Sequence, residues 1–363
     1  MNILVLTSTN GSYNSVRPEA EIYISLAKYG YNITIMTQEK SEYTSRFVEH
    51  GIKIIDSSYK KKFSFNLIQK IRKTIKQESI DILYATNSKS ISNAVFASIG
   101  TKVKLITYRG TTGGLYRYDP ASYLNALNPR VDGTICVSKA VEKHVRKQLV
   151  FSRNKNTTTI YKGHDLAWYN QKTLDLKEFG TNRDNFNIAF VANVRPHKGL
   201  IYVLQATHAL ADIKNIHLLL IGNEISKEPY ISEIENSSMK ERIHVTGFRN
   251  DAPDIISACD VLIQASTRKE GLPRVILESI AEGTPVIASA NEGSMEIVED
   301  GFNGYVVPIK NSIEIAKRVK ELYGAPQILK RLSENCKDII ENKMAHKTTV
   351  KKYIDYFESL LQR

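Results

Sequence analysis

Short runs of aliphatic and β-branched residues alternate along this chain with longer stretches whose apolar positions recur at helical spacing. Such alternation predicts parallel α/β domains. In the first half, strands are expected at residues 3–6, 33–36, 52–55, 80–84, 105–108 and 134–137, with helices between them, among others at 19–28, 65–77 and 138–148. The pattern fades over residues 168–185, where polar and charged residues dominate, and a domain boundary is expected there. A second set of strands follows at 188–192, 217–221, 243–246, 261–264, 285–288 and 305–307. Beyond Asn311 the periodicity is helical, with apolar positions at Ile313, Ala316, Val319 and Leu322 and finally at Val350, Tyr353, Ile354, Phe357 and Leu361. The expected architecture is therefore two Rossmann-like doubly wound domains facing a cleft, residues 1–168 and 186–345, with a terminal helix at 346–363 that packs elsewhere than on the second domain.

Length agrees with this division, since 363 residues exceed the size at which a single hydrophobic core keeps growing. No stretch approaches the roughly 18 uninterrupted apolar residues of a membrane span. The opening M-N-I-L-V-L lacks a basic leader and reads as a buried strand, so a cytoplasmic location is expected. Cys136, Cys259 and Cys336 stand far apart, outside any C-x-x-C or Cys/His pattern, and are expected to be buried free thiols. A net charge of +12 favours anionic partners, whether nucleic acid, anionic lipid or phosphorylated substrates. Charge alone does not choose among them.

The chemistry concentrates in E-G-L-P-R-V-I-L-E at residues 270–278. Pro273 is suited to a first helical position, which places Glu270 outside the helix and Glu278 more than a turn inside it. The free N–H groups and positive dipole end of that helix then face whatever Glu270 faces. Glu278 lies among Ile276, Leu277, Ile280 and Ala281, and if buried it needs a partner, which a ribose diol would supply. Against this stands the plainer reading of two idle surface carboxylates. After the strand at 188–192, Arg195, His197 and Lys198-Gly199 lead into a helix, an arrangement that cradles a diphosphate, or else a solvated basic loop. The strand at 105–108 ends in Arg109-Gly110-Thr111-Thr112-Gly113-Gly114, where Arg109 either points at a ligand or caps its own sheet.

Other constellations narrow the field. The first strand leads to Gly11-Ser12 and then Arg17-Pro18-Glu19, which is not G-x-G-x-x-G, and Pro18 is expected to delay the helix to Glu19. The next acid, Glu39, lies beyond the strand end where a ribose-binding acid belongs, so a dinucleotide-dependent dehydrogenase loses ground. No His, Cys or carboxylate spacing indicates a metal, and no nucleophile elbow accompanies His144, His164, His197 or His217. Ser138 is expected to cap a helix. Lys60-Lys61-Lys62 precede a helix with apolar Phe65, Leu67, Ile68, Ile71 and Ile75 and basic Lys70, Arg72, Lys73 and Lys76. That segment either rests on an anionic membrane surface or packs on its sheet with its charges in water.

With these residues in hand, the chain resembles the retaining nucleotide-sugar glycosyltransferases of family 4, which have the GT-B fold. The resemblance is carried by Glu270-x7-Glu278 within residues 266–289, by the Arg195/Lys198-Gly199 loop, by Val245-Thr246-Gly247-Phe248 and by residues 296–304. It implies that Glu278 binds the ribose, Arg195 and Lys198 the diphosphate, Glu270 with the N–H groups of Gly271 and Leu272 the donor sugar, and the backbone around Phe248 the base. It also implies an acceptor held by the first domain, where Gly11, Ser12 and Arg17 form an acceptor or phosphate loop and Arg109 reaches the donor, and a last helix that crosses back to that domain. The family pattern is departed from in three ways: Ala192-Asn193 stand where Gly-Arg is usual, Arg109 where histidine is frequent, and Pro273 where glycine is frequent.

The resemblance implies transfer of a hexose-type sugar, with retention and without a metal or other cofactor, from a UDP or GDP sugar to a glycan or lipid-linked acceptor in surface polysaccharide or lipopolysaccharide synthesis. Nucleic acid is not an expected partner, because no interleaved aromatic and basic face stands out. The rivals are a nucleotide-sugar epimerase or a phosphorylase on the same scaffold, and a polyanion- or glycan-binding protein without turnover.

Overall fold

The computed structural model describes residues 1–38, 40–149, 156–169, 174–268 and 270–362. Glu39, residues 170–173 of the expected boundary, and Lys269 within the Glu270 segment lie outside the described residues. The chain divides into two compact units, residues 1–163 with 346–363, and residues 164–345.

In the first unit the apolar runs form β1 (Asn2–Leu6), β2 (Asn32–Thr37), β3 (Lys53–Asp56), β4 (Ile82–Ala85), β5 (Lys104–Arg109) and β6 (Gly133–Cys136), joined at the edge by β7 (Thr157–Thr159). They make one sheet in the order β3-β2-β1-β4-β5-β6-β7, and every pairing is parallel. Both faces are covered. Ile3 and Val5 of β1 pack with the helix Tyr13–Lys28 and the terminal helix His346–Leu361, while Leu4 and Leu6 pack with the helices Phe65–Gln77 and Ser88–Ser98. Burial on both sides is why these strands read as continuous apolar runs rather than as alternating ones.

The terminal helix belongs to this unit by its contacts. The Tyr353 and Tyr84 hydroxyls are 3.0 Å apart, Thr349 donates to the Tyr161 carbonyl at 2.8 Å, and Tyr31 donates to Glu358 at 2.7 Å.

The second unit contains β8 (Phe186–Val191), β9 (Ile216–Ile221), β10 (Ile243–Gly247), β11 (Val261–Gln264), β12 (Val286–Ser289) and β13 (Gly304–Val307), again all parallel, in the order β10-β9-β8-β11-β12-β13. In each sheet the strand order reverses once, between β1 and β4 and between β8 and β11. Loops leaving the carboxyl ends of those strands diverge to opposite faces and open a crevice at the reversal, where such sheets bind ligands.

Two features differ from the sequence reading, and one alternative that it left open is decided. The first helix begins at Tyr13 and carries Pro18 inside it. In the turn before the proline, Tyr13 stacks on Tyr43 at 4.7 Å and Arg17 lies over the Tyr13 ring at 4.7 Å, contacts that favour the helix there. The seventh strand is three threonines on an edge, with no apolar signal to betray it. The helix Phe65–Gln77 buries Leu67, Ile68, Ile71 and Ile75 against its own sheet, so its apolar stripe is not available to a membrane. All three cysteines are free and buried.

A charged cluster that the sequence did not announce ties the first unit together. Glu19 accepts from the Thr7 and Tyr23 hydroxyls at 2.7 Å each and lies 2.5 Å from Lys162, whose ammonium sits 4.4 Å above the Tyr108 ring. Burial opposes ionisation of both partners, but their attraction and these hydrogen bonds prevail, holding Glu19 below the usual carboxylate range and Lys162 above its own. Replacing Lys162 by Met is expected to leave Glu19 covered and uncompensated. We expect a loss of roughly 2–3 kcal/mol, discounted for the part of each side chain that stays accessible, and a melting temperature lower by about 5–10 °C in calorimetry. An unchanged melting temperature would show that the pair contributes nothing net.

Candidate active site

The crevice of the second unit is built by two loops that meet backbone to backbone. After β8 the chain makes a 3-10 turn, Pro196–Lys198, and Gly199 closes it in the left-handed region at φ 75° before the helix Leu200–Leu210. A side chain cannot be accommodated at Gly199, because an added Cβ would lie 2.0 Å from the Ala265 carbonyl oxygen at the end of β11. The Thr267 N–H donates to the His197 carbonyl at 2.8 Å and fixes the same contact two residues away on each loop.

That approach brings Lys198 to Glu270. The ammonium lies 2.7 Å from Glu270 Oε1, and the same oxygen accepts the Ser266 hydroxyl at 2.7 Å. Beneath them a buried polar chain continues. Gln264 Nε2 donates to Ser266 Oγ at 2.6 Å, Ser294 donates to Gln264 Oε1 at 3.2 Å, and Asn291 accepts from the Ser294 N–H at 3.0 Å while donating to the Ser266 carbonyl at 3.3 Å. With both amide ends of Gln264 engaged, the carboxylate above has a fixed support. Gln264, Ser266, Asn291 and Ser294 escaped the sequence reading. Their one visible signal was a glutamine closing an otherwise aliphatic strand.

Glu270 and the buried Gly271 precede Pro273, which occupies the N-cap position of the helix Arg274–Glu282, one residue earlier than expected. Leu272 is half-buried. Glu278, 5% exposed, has its partner within its own helix: Arg274 Nε lies 3.0 Å from its Oε1, one turn earlier. Burial raises its pKa and the Arg274 guanidinium pulls it back down, with burial the larger effect. The carboxylate therefore does not depend on a ligand for a partner. Arg195 is exposed, three residues before Lys198, and no ion pair engages it among the described residues. Phe248 follows β10, 52% exposed, where the Gly222 N–H donates to the Gly247 carbonyl at 2.8 Å.

Lys198, Glu270, Gly271, Leu272 and Glu278 thus share one stretch at the β8/β11 reversal, with Arg195 on the same loop as Lys198 and Phe248 at the carboxyl end of the edge strand. Gly11, Ser12, Arg17 and Arg109 belong to the first unit. Gly11 and Ser12 form the turn after β1, with Ser12 as N-cap of the first helix, and Arg17 lies along that helix over Tyr13. Arg109 folds onto its own loop, donating from Nε to the Thr111 carbonyl at 2.9 Å and from its terminal nitrogen to the Gly113 carbonyl, and burial lowers its pKa. Among the described residues no group of three or more His, Cys, Asp or Glu could hold a metal ion.

Two parallel, doubly wound sheets, each with one reversal of strand order, make the two-domain α/β architecture of the GT-B fold. The chain belongs to the glycosyltransferases of group 1 and family 4: the model for glycosyl transferases group 1 matches residues 171–339 and that for glycosyltransferase family 4 matches residues 20–168. The chain is 21% identical over 310 residues to N-acetyl-alpha-D-glucosaminyl L-malate synthase of Bacillus anthracis, covering 83% of this chain and 80% of that protein. It is 28% identical over 174 residues to the UDP-Gal:alpha-D-GlcNAc-diphosphoundecaprenol alpha-1,3-galactosyltransferase of Escherichia coli, covering 46% of this chain and 44% of that one. Two further curated relatives are matched over 42% and 59% of their lengths, so the chain spans about half of several proteins that it resembles. Among solved structures, Anabaena HepE in complex with UDP superposes with a TM-score of 0.80 at 22% identity, covering 99% of this chain and 100% of that one.

Gly293 tests the packing of the site. A Cβ there would approach the backbone oxygens of Gly271 and Glu270 to 2.6 and 2.8 Å, and backbone atoms do not yield cheaply. Gly293→Ala is expected to cost about 1–3 kcal/mol in denaturant unfolding and to speed amide exchange around residue 271. Gly324→Ala, on a helix where nothing lies within 4 Å, is expected to stabilise by roughly 0.5–1 kcal/mol. Equal effects of the two substitutions would refute the close approach.

Proposed function

We propose that this protein transfers a hexose-type sugar, with retention of anomeric configuration, from a UDP or GDP sugar to a glycan or lipid-linked acceptor in the synthesis of a surface polysaccharide or lipopolysaccharide. The observation that carries the reading is the Lys198–Glu270 pair at the β8/β11 reversal. A cation and a supported acid stand there between the starts of two helices, where a departing diphosphate and a sugar hydroxyl find their complements. The UDP and UDP-glucose complexes of HepE, and the UDP-Gal in the name of the Escherichia coli relative, support a nucleotide-sugar donor.

In this mechanism Lys198 and Arg195 neutralise the diphosphate, Glu278 holds the ribose, the backbone around Phe248 meets the base, and Glu270 with the Gly271 and Leu272 N–H groups orients the sugar. The bond from the anomeric carbon to the phosphate oxygen breaks as the acceptor oxygen attacks from the same face, and the acceptor proton passes to the leaving diphosphate. The protein then supplies charge stabilisation rather than a general base, and no metal is required of it. Gly11, Ser12 and Arg17 are assigned to the acceptor, and Arg109 to the donor sugar once it leaves its own loop. Three free buried thiols fit a reducing, cytoplasmic setting.

Thermal shift with UDP, GDP, ADP and CDP tests the donor: a ligand at a hundred times its Kd stabilises by about 2.7 kcal/mol, and UDP or GDP is expected to lead. With that donor, Lys198→Ala is expected to lose on the order of 10² to 10³ in kcat while still folding. Full turnover by the folded variant would overturn the diphosphate assignment, and epimerised sugar from donor alone would favour the epimerase. Product NMR decides retention by comparing the anomeric coupling with that of the donor.

A further inference from the structure

The helix Phe65–Gln77 spends its apolar stripe on its own sheet, yet the segment leading into it does something that packing does not require. From residue 57 to 77 there are seven cations, Lys60, Lys61, Lys62, Lys70, Arg72, Lys73 and Lys76, and no acid. Lys60, Lys61 and Lys62 are exposed and in no ion pair among the described residues. Directly after them, Phe63 and Phe65 are 56% and 64% exposed. Phe63 meets the edge of Phe96 at 5.3 Å, and most of its ring remains uncovered.

This exposure is held in place. Asn93, fully buried, donates to the Lys61 carbonyl at 3.0 Å and accepts from the Ser64 N–H at 2.9 Å, while the buried Tyr59 hydroxyl donates to the Met36 carbonyl at 2.7 Å. The backbone on either side of Phe63 is thus clamped, and Phe65 follows directly as the first residue of the helix. A loop fastened so as to present two phenylalanines behind three lysines is a costly arrangement unless something covers it.

We infer that residues 60–65 dock this protein on an anionic bilayer, the rings entering the headgroup boundary and the lysines meeting lipid phosphates. Charge argues for that occupant over a second copy of this chain, since an isologous contact would set two lysine triplets against each other. The adjoining rings argue for it over a purely electrostatic partner, because they add apolar area that a polyanion does not need. Placement fits as well. The loop leaves the carboxyl end of β3, and in a parallel sheet this is the end from which the Gly11–Arg17 and Arg109–Gly114 loops also leave, so a lipid-linked acceptor would be presented on the side where the acceptor residues stand. That purpose rests on the proposed function; the docking itself does not.

The test is flotation of the full chain with vesicles of phosphatidylcholine alone or mixed with about 30% phosphatidylglycerol. The protein is expected to float with the mixed vesicles about tenfold more than with the neutral ones, and less at high salt. Two variants, Phe63→Ser with Phe65→Ser, and Lys60→Gln with Lys61→Gln and Lys62→Gln, are each expected to lose at least about tenfold of that binding. Both should keep the melting temperature and the nucleotide-induced shift, which separates failure here from failure of the transfer reading. Equal binding to both vesicles, no binding, or undiminished binding by the phenylalanine variant would overturn the inference. So would a dimer in sedimentation velocity that the phenylalanine variant dissolves.

Discussion

The site depends on one close approach of backbone to backbone. Because Gly199 has no side chain, the turn after β8 can lie against the Ala265 carbonyl at the end of β11, and only then do Lys198 and Glu270 come within 2.7 Å. The two strands are neighbours at the sheet reversal, so the geometry of the fold supplies the crevice and the missing Cβ sets its width. A larger residue would force the loops apart, and the cation would lose its acid. The Lys198–Glu270 pair is in this sense a consequence of a steric allowance made at the residue next to the cation.

Once the loops meet, electrostatics decides how the charges are kept. Glu270 is held from below by Ser266 and through it by Gln264 and Ser294, a chain of neutral dipoles that orients the carboxylate without adding charge. Glu278 is stabilised differently, by Arg274 one turn away on the same helix, which limits the upward pull of burial on its pKa. The first unit shows the same principle at Glu19, where two hydroxyls and Lys162 keep a covered carboxylate ionised. In each case the acid is partnered within the protein before any ligand arrives.

Much of this was legible in the sequence because burial on both faces writes strands as unbroken apolar runs. The pattern of the twelve runs gave both sheets, and the E-x7-E spacing located a loop acid and a helix acid correctly about Pro273. What escaped was whatever carried no apolar signal. The edge strand Thr157–Thr159 is polar because it pairs on one side only, and Gln264, Ser266, Asn291 and Ser294 act through hydrogen bonds made across separate loops. The first helix starts before its proline because Tyr13, Tyr43 and Arg17 pack together, a tertiary effect that local rules cannot contain. Helical periodicity at Phe65–Gln77 was read rightly, but periodicity does not say what the apolar stripe faces, and here it faces the sheet.

A last regularity concerns which charges are covered. The side chains of Glu270 and Glu278 are 10% and 7% exposed, whereas that of Lys198 is 29% exposed and Arg195 stands in solvent. An approaching anion therefore meets the cations first, while the acids are already desolvated and anchored. For Lys198 to engage a phosphate it must share or leave Glu270, and the Ser266 hydroxyl remains as the acid's partner when it does. That keeps the cost of freeing the cation small, since no buried carboxylate is stranded by the exchange. Glu270 thus keeps one hydrogen-bond donor that does not depend on Lys198, which a bare ion pair at the same distance would lack.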